Sequence, residues 1–430
     1  MKQAIIQAGG IGSRLGNLTQ DMPKPMIPIG NYSVLEHQIQ LLKQYHIHDI
    51  IIITHYLSHV IQNHFGNGEQ FGVSISYYHE QTPLGTSGGI KELEHRLTSD
   101  FLVLYGDVMI DMDLMALIDF HKQKQSLCTL TLHPNDHPYD SDLVDIDDTF
   151  RITGFYSKPH NSNRYYRNLV NAAVYVMSPQ FLSWIPKGAY ADFGKNIFPD
   201  VYQKVPMYGY CTSEYIKDMG TFDRLTQIRQ DYSKGIIQQK NRENPQKAIF
   251  LDRDGVINRE VNFLTRLDDF ELLPGVAEAI RLINQSEYLA IVITNQSVIA
   301  RNMCTLSELQ TIHNKMETLL GMEGAKLDAI YFCPHHPDKG YPNENSEYKI
   351  ICNCRKPKIG LVEQAQQKFH IDLTQSFFIG DSTRDIQCGK NAGMTSIEVQ
   401  TGWGVDSTIC QPEYSFPDLK QAVHFILESN

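Results

Sequence analysis

The chain has 430 residues, 42% of them apolar and 20% charged, too many for one hydrophobic core and ordinary for a soluble protein of two domains. Its formal net charge of −11 argues against a general binder of nucleic acid or of an anionic membrane, so any phosphate chemistry must rest on local cations and bound metal. No apolar run approaches the length of a bilayer span, and the opening MKQAIIQAGG reads as a strand entering a glycine turn, not as an export signal.

In chain order, a first strand over Ala4–Ala8 runs into GGIGSRLG and then DMPKPMIPIG. Gly9, Gly10 and Gly12 let backbone N–H groups approach a polyphosphate, and Arg14 and Lys24 supply positive charge. No Gly-Lys-Ser/Thr follows, so this is not a Walker loop, and a proline-rich segment stands where a dinucleotide fold would continue its helix. Helical spacing over Leu35–Tyr45 is followed by strands at Asp49–Thr54 and Val73–Tyr78 and by a second glycine-bearing loop, EQTPLGTSGGI, which contains Gly85. A buried strand at Phe101–Tyr105 delivers Asp107. FYSKP then places Lys158 after a turn, NAAVYVM begins a strand at Asn171, and IKDMGTFDRL sets Asp218 before a helix start. This alternation implies a mostly parallel sheet with its loops gathered at one edge. Taken singly, Lys158 is more often a surface lysine and Asp107 could cap a helix.

AGGIGSRLG…PKPM, PLGTSGG, the GD at Asp107, SKP, NAAVYVM and KDMGT resemble, in order and at compatible intervals, the sugar-1-phosphate nucleotidylyltransferases over residues 1–232. The resemblance implies a nucleotide-diphospho-sugar transferase fold in which Gly9, Gly10, Gly12 and Arg14 hold an NTP and Lys24 contacts its phosphates. It further implies that Asp107 and Asp218 share a Mg²⁺ and that Lys158 meets the sugar phosphate, with Gly85 and Asn171 in the substrate-contacting motifs. The chemistry suits these residue types. Attack of a sugar phosphate on the α-phosphorus brings two anions together, which must be held in line and neutralised, with no covalent nucleophile. The position that meets the base in related enzymes falls on Glu80 or Gln81. A carboxylate there accepts both N1–H and the 2-amino group of guanine, which favours GTP; a solvent-facing Glu80 is the competing reading.

SKGIIQQKNRENPQ, residues 233–246, is polar, lacks periodicity and reads as a linker. The next strand enters IFLDRDGVIN, where Asp252 and Asp254 stand one residue apart and Gly255 turns the chain. Neighbours on a strand face opposite ways, but Asp254 lies past the strand end, where the bend can bring both carboxylates to one ligand. An isolated D-x-D-G is commonly a solvated turn; ITNQS, CRKPK and IGDSTRD downstream set this one apart. Strands at Tyr288–Ile293 (ending at Thr294-Asn295), Ile330–Phe332, Ser376–Ile379 (delivering Asp381) and Ser396–Val399 alternate with helices over Thr305–Leu320 and Leu361–Phe369. That implies a second Rossmann-like α/β unit over residues 247–430. Five cysteines are scattered, while Cys333, Cys352 and Cys354 gather around His335, with sixteen residues between His335 and Cys352. C-x-H…C-x-C supplies four ligands for a tetrahedral Zn²⁺, closed to water and so structural. Reduced thiols and a metal fit a cytoplasmic enzyme better than a disulfide framework does. His336 is an adjacent candidate ligand.

DRDGVIN, LLPGVAEAI, TNQS, IAR, YFCPHHP, C-x-CRKPK and IGD resemble the haloacid dehalogenase (HAD) superfamily and, within it, the bacterial D-glycero-D-manno-heptose-1,7-bisphosphate phosphatases. The resemblance makes Asp252 the nucleophile and Asp254 the acid that protonates the leaving oxygen and later the base for water. It places Mg²⁺ on Asp252, the Asp254 carbonyl and Asp381. Thr294, Asn295 and Lys356 then surround the phosphoryl group, Arg355 faces the sugar or its second phosphate, and the zinc pins the loop carrying Arg355 and Lys356. Val298 and Asn302 depart from a pattern with glycines around IAR, and Ser382 stands where lysine is common. Asp385 either assists the metal or caps a helix. Histidinol phosphatases share the zinc arrangement and remain an alternative. The two halves together imply a cytoplasmic bifunctional enzyme acting on NTP and sugar phosphates, with GTP and a heptose favoured and a homo-oligomer allowed. The alternative is a mannose- or glucose-1-phosphate nucleotidylyltransferase joined to a phosphatase of other specificity.

Overall fold

A computed structural model describes residues 1–340 and 342–429, without the side chain of Ser429. The chain forms two compact units. The first comprises 1–133, 140–160 and 169–241, and the second comprises 134–139, 161–168 and 242–430.

In the first unit Phe101–Tyr105, Gln3–Gln7, Asp49–Thr54 and Ser74–His79 lie side by side and parallel. Alternate residues of these strands enter two separate cores. Ile6, Ile52 and Leu104 pack with the helix Val34–Gln44, and Ile5, Ile51 and Val103 pack with Phe181, Phe193 and Phe198. A sheet covered on both faces is why these strands read as unbroken apolar runs. Val170–Met177 extends the sheet antiparallel to Phe101–Tyr105, followed by Cys128–His133 and Met207–Cys211. A separate two-stranded ladder pairs Val108–Asp111 with Tyr215–Asp218 and sets Asp218 opposite Val108. One expectation is corrected. EQTPLGTSGGI is not loop throughout, because Gly85–Glu92 is helical. A Cβ on Gly89 would stand 2.4 Å from the Glu80 carboxylate, so the glycines serve close packing within a helix. Ile236–Gln239, inside the stretch read as linker, forms a short helix with Ile236 and Ile237 buried.

The second unit is a six-stranded parallel sheet in the order Ala329–Cys333, Tyr288–Asn295, Lys247–Leu251, Phe377–Gly380, Thr395–Val399 and Tyr414–Phe416. Leu251 pairs with Ile379, so adjacent strands release Asp252 and Asp381 at the same edge. Helix Leu306–Met322 starts on a capping box between Thr305 and Glu308. Among the described residues, no helix is long and apolar enough to cross a membrane.

Candidate active sites

In the first unit the strand Gln3–Gln7 ends at a turn whose Gly12 has φ 71°, and a Cβ there would press on Thr19 and Lys24. Gly9, Gly10, Lys24, Glu80, Gly85 and Asp107 line one cavity of about 370 Å³. Lys24 is buried and reaches Asp107 with its Nζ 2.5 Å from Oδ2. Glu80 is 6% exposed and its Oε1 has no hydrogen-bond partner. Burial pushes its carboxyl up, against the opposing effect of the Leu84 N–H. An unpaired buried acceptor is costly; this oxygen lies beside Gly89, while the residue lines the cavity.

The two acidic residues read as metal ligands are brought together by the small ladder, and Met219 N–H donates to the Asp107 carbonyl at 3.1 Å. Asp218 accepts both hydrogen bonds from Arg224 Nη1, at 2.9 Å each, and one from the Gly220 N–H at 2.8 Å. Arg224 Nη2 also reaches Asp140 Oδ2 at 2.7 Å. Asp140 further pairs with Lys158 Nζ at 3.1 Å and stands 3.7 Å from Arg14 Nη1. Burial raises the Asp140 carboxyl, but hydrogen bonds from Arg224 and Lys158 outweigh it and hold it below its ordinary value. Arg14, Lys158 and Asp218 thus gather around Asp140 and Arg224, neither of which the sequence motifs singled out. Arg224 was accessible to them, six residues past Asp218 on the first turn of Phe222–Ser233; Asp140 carried no local signal. Asn171 sits at the head of Val170–Met177, its N–H bonded to the Asp142 carbonyl at 3.0 Å.

In the second unit Asp252, Asp381 and Asp385 each place a carboxylate oxygen within 4.8 Å of the others. Lys356 Nζ lies between them, 2.8 Å from Asp252 and 2.6 Å from Asp385, and donates to the Ile293 carbonyl at 2.8 Å. Burial first, then the Asp385 charge, push Asp252 up to about 7; burial, then Asp252 and Asp385, push Asp381 up to about 8. Crowded carboxylates of this kind are the electrostatic signature of a place for a cation. The backbone makes room there. A Cβ on Gly402 would stand 1.9 Å from Asp381 Oδ2, and one on Gly255 2.5 Å. Asp385 caps the next helix, its Oδ2 accepting from Ser382 N–H and Oγ, while its Oδ1 faces Lys356 beside the other two acids.

Asp252, Asp254, Thr294, Arg355, Lys356 and Asp381 line one cavity of about 210 Å³. Asn295 lines it too and pins the lysine loop, accepting from Lys356 N–H at 3.0 Å and donating to the Lys356 carbonyl at 3.2 Å. The carboxylate of Asp254 is not in the group of three acids and bonds to Arg253, Asn258 and Gln296. Burial pushes it up, and the charge of Arg253 with the bonds from Asn258 more than offsets this, leaving it below the ordinary carboxylate range. Arg301 and Arg384, which stand inside the IAR and IGDSTRD motifs without having been given a role, line the same cavity, as does Trp403, which lies outside the quoted motifs. Asn302 adopts φ 57°, a left-handed conformation that glycine takes without strain.

Cys333, His335, Cys352 and Cys354 offer four ligand atoms within 4.8 Å of one another. Sulfur separations are 3.1–3.6 Å, and His335 Nδ1 is 3.2 Å from Cys354 Sγ, near the roughly 3.8 Å that sulfurs take around a tetrahedral Zn²⁺. Burial lowers the His335 pKa, favouring the neutral ring a metal needs. His336 instead faces Arg301 and Asp338. Arg355 Nη1 donates to the His335 carbonyl at 3.2 Å, tying this cluster to the loop that carries Arg355 and Lys356.

Comparison with known proteins adds sequence relationships to this geometry. The nucleotidyl transferase family profile matches residues 3–235, and a HAD-hydrolase-like profile matches residues 353–422. The D-glycero-D-manno-heptose-1,7-bisphosphate 7-phosphatase of Thermosynechococcus vestitus is 38% identical over 192 residues, which is 42% of this chain and 96% of that protein. The D-glycero-beta-D-manno-heptose-1,7-bisphosphate 7-phosphatase of Escherichia coli K12 is 38% identical over 156 residues, 36% of this chain and 80% of that protein. Among solved structures, HddC of Yersinia pseudotuberculosis aligns with 54% of this chain and 100% of its own, at 23% identity and TM-score 0.48.

Proposed function

From its membership of the nucleotidyl transferase family through residues 3–235, and of the heptose-bisphosphate 7-phosphatases by 38% identity across 96% of one such protein, we propose that this chain is a bifunctional enzyme of activated-heptose synthesis. One half removes the 7-phosphate of D-glycero-D-manno-heptose 1,7-bisphosphate. The other transfers a nucleoside monophosphate, GMP from GTP, to the resulting heptose 1-phosphate and releases pyrophosphate. The observation that carries the proposal is the conjunction of that phosphatase kinship with a Lys356-centred acid cluster in one unit and an NTP-sized cavity in the other.

In the phosphatase half Asp252 attacks phosphorus and Lys356 neutralises the phosphoryl oxygens, with Thr294 donating from the end of its strand. Asp254 protonates the leaving sugar oxygen and then takes a proton from the attacking water, so that one hard hydrolysis becomes two transfers. Asp252, Asp381 and the Asp254 carbonyl are the donors that would hold Mg²⁺, which would supply charge neutralisation at the phosphoryl group; their mutual repulsion and the cradle beneath Gly402 suit it. Cys333, His335, Cys352 and Cys354 suit Zn²⁺ and would hold the Arg355–Lys356 loop in place.

In the transferase half the turn at Gly9–Gly12 holds the triphosphate, with Lys24 and Arg14 countering its charge. Asp107 and Asp218, hard-oxygen donors at neighbouring positions of the small ladder, would hold a Mg²⁺ that would supply charge neutralisation at the α-phosphate. Lys158 receives the sugar phosphate, exchanging Asp140 for it as counter-ion, and Glu80 accepts from guanine N1–H and its 2-amino group. Activity with a panel of sugar 1-phosphates and NTPs tests this reading. Preference for heptose 1-phosphate with GTP supports it, and preference for mannose or glucose 1-phosphate would replace it. A cytoplasmic location fits eight cysteines without a disulfide.

A further inference from the structure

Between the two site aspartates lies Arg253, among the largest fully buried side chains of the described residues at 0% exposure. It is not among the residues that line the phosphatase cavity. Its Nη2 donates to both Asp254 oxygens at 2.8 Å and its Nε to Oδ1 at 3.2 Å. The same Nη2 reaches Gln296 Oε1 at 3.1 Å, and Gln296 Nε2 returns to Asp254 Oδ2 at 2.8 Å and to Thr294 Oγ1 at 2.9 Å. On its far side Nη1 lies 3.3 Å from Nε2 of His313, which is 2% exposed on helix Leu306–Met322. Burial, then the Arg253 charge, push His313 down to about 3, so the ring is neutral and Nε2 is free to accept.

A buried ion pair is a weak source of stability, since apolar residues of similar volume commonly do as well. What this one provides is orientation. Asp254 Oδ1 takes Arg253 Nε and Nη2 and Asn258 Nδ2, the last at 3.0 Å, whereas Oδ2 takes Arg253 Nη2 and Gln296. These donors favour the ionised carboxylate; a proton on Oδ2 displaces one of them and a proton on Oδ1 two, so Oδ2 is the oxygen that protonates at the smaller cost.

We propose that Arg253, supported from behind by His313, is a positioning residue that clamps the Asp254 carboxyl and fixes which of its oxygens exchanges a proton with the leaving group. The inference rests on the reading of Asp254 as acid and base. In the first transfer the phosphorus–sugar oxygen bond breaks as the bond from phosphorus to the Asp252 carboxylate forms, and the Asp254 Oδ2 proton goes to the sugar oxygen. In the second, water breaks the phospho-aspartate bond and its proton returns to Oδ2.

The test is first-turnover release of the leaving group, with full-length enzyme in excess, from p-nitrophenyl phosphate, phenyl phosphate and heptose 1,7-bisphosphate. A p-nitrophenolate leaves without protonation; phenolate and sugar alkoxide need it increasingly. Arg253→Lys keeps the charge and loses the fork. It is expected to slow the sugar ester by about 10²-fold, phenyl phosphate by less, and p-nitrophenyl phosphate by less than about threefold. His313→Leu should shift the three rates in the same order by a smaller factor, and His313→Gln, which keeps an acceptor, should recover most of that loss. Equal slowing of all three esters by Arg253→Lys would mean a purely structural role and overturn the proposal. Should that variant fail to fold, the His313→Leu series decides in the same way. Asp254→Asn separates the two layers. If it is selective by leaving group while the Arg253 and His313 variants are not, the clamp is refuted and the acid stands. If it slows all three alike, the acid reading itself fails. The two aryl esters discriminate between these outcomes whatever sugar the enzyme prefers.

Discussion

Gly402→Ala isolates the backbone cradle around Asp381 in the phosphatase half. Gly402 is exposed and does not adopt the positive φ that would itself disfavour alanine, so the effect of the substitution is steric. Its Cβ would stand 1.9 Å from Asp381 Oδ2, 2.6 Å from Cγ and 2.9 Å from Cβ. Ordinary carbon contacts need about 3.5 Å, so the Asp381 carboxylate must retreat by roughly 1.5 Å from the Asp252–Asp385 group. Misplacement on the order of 1 Å at a reacting centre costs about 10²-fold. Stability should change little, by about 1 kcal/mol, because the added methyl meets a site wall and not a packed core. Release of inorganic phosphate from the bisphosphate should therefore fall by about two orders of magnitude, with the midpoint of thermal unfolding shifted by a few degrees at most. Pyrophosphate release from GTP and heptose 1-phosphate should be unchanged. Phosphatase activity above half of the wild-type level would show that the position of Asp381 is not what the site depends on.

Glu80→Gln should lower kcat/KM for GTP by about 10- to 100-fold through loss of a charged buried acceptor and collapse the preference for GTP over ITP, which lacks the 2-amino group; an unchanged GTP to ITP ratio would remove Glu80 from base recognition. Asp252 at about 7 and Asp381 at about 8 lie above the ordinary aspartate value of 3.8. The metal-free fold therefore loses stability as pH rises from about 4 through 8, as these groups give up protons that the folded state binds more tightly. Mg²⁺ should accordingly raise the unfolding midpoint more at pH 8 than at pH 6, and a shift that shrank with rising pH would contradict the cluster's electrostatics. On the proposed reading of the Cys333, His335, Cys352 and Cys354 cluster, a strong chelator should release one equivalent of zinc per chain, suppress phosphate release by loosening the Arg355–Lys356 loop, and leave pyrophosphate release intact.

The strand-end aspartates were legible because each follows an apolar run and precedes a residue that lets the chain turn, as in FLDRDG and FIGDS. The clustering of Cys333, His335, Cys352 and Cys354 was legible from spacing alone. Arg253 was not, since a charged residue between two polar ones at a strand end reads as solvated; the turn at Gly255 and the packing of helix Leu306–Met322 bury it. Asp385 resisted a single reading because its two oxygens serve different partners. Asp140 depends on Arg14, Lys158 and Arg224 converging from distant parts of the chain, which local pattern does not encode. Ile236 and Ile237 hid a buried helical turn inside a polar stretch, where four residues are too few to establish a period.

Two chemistries run in series by separate sites of one chain are the core of the proposed function. Given heptose 1,7-bisphosphate as the only sugar, with GTP and Mg²⁺, the wild-type protein should form the nucleotide sugar and release phosphate and pyrophosphate in equal amounts. Asp252→Asn should form none from the bisphosphate yet recover fully when heptose 1-phosphate is supplied. Nucleotide sugar made by Asp252→Asn directly from the bisphosphate, or no recovery on the monophosphate, would contradict it.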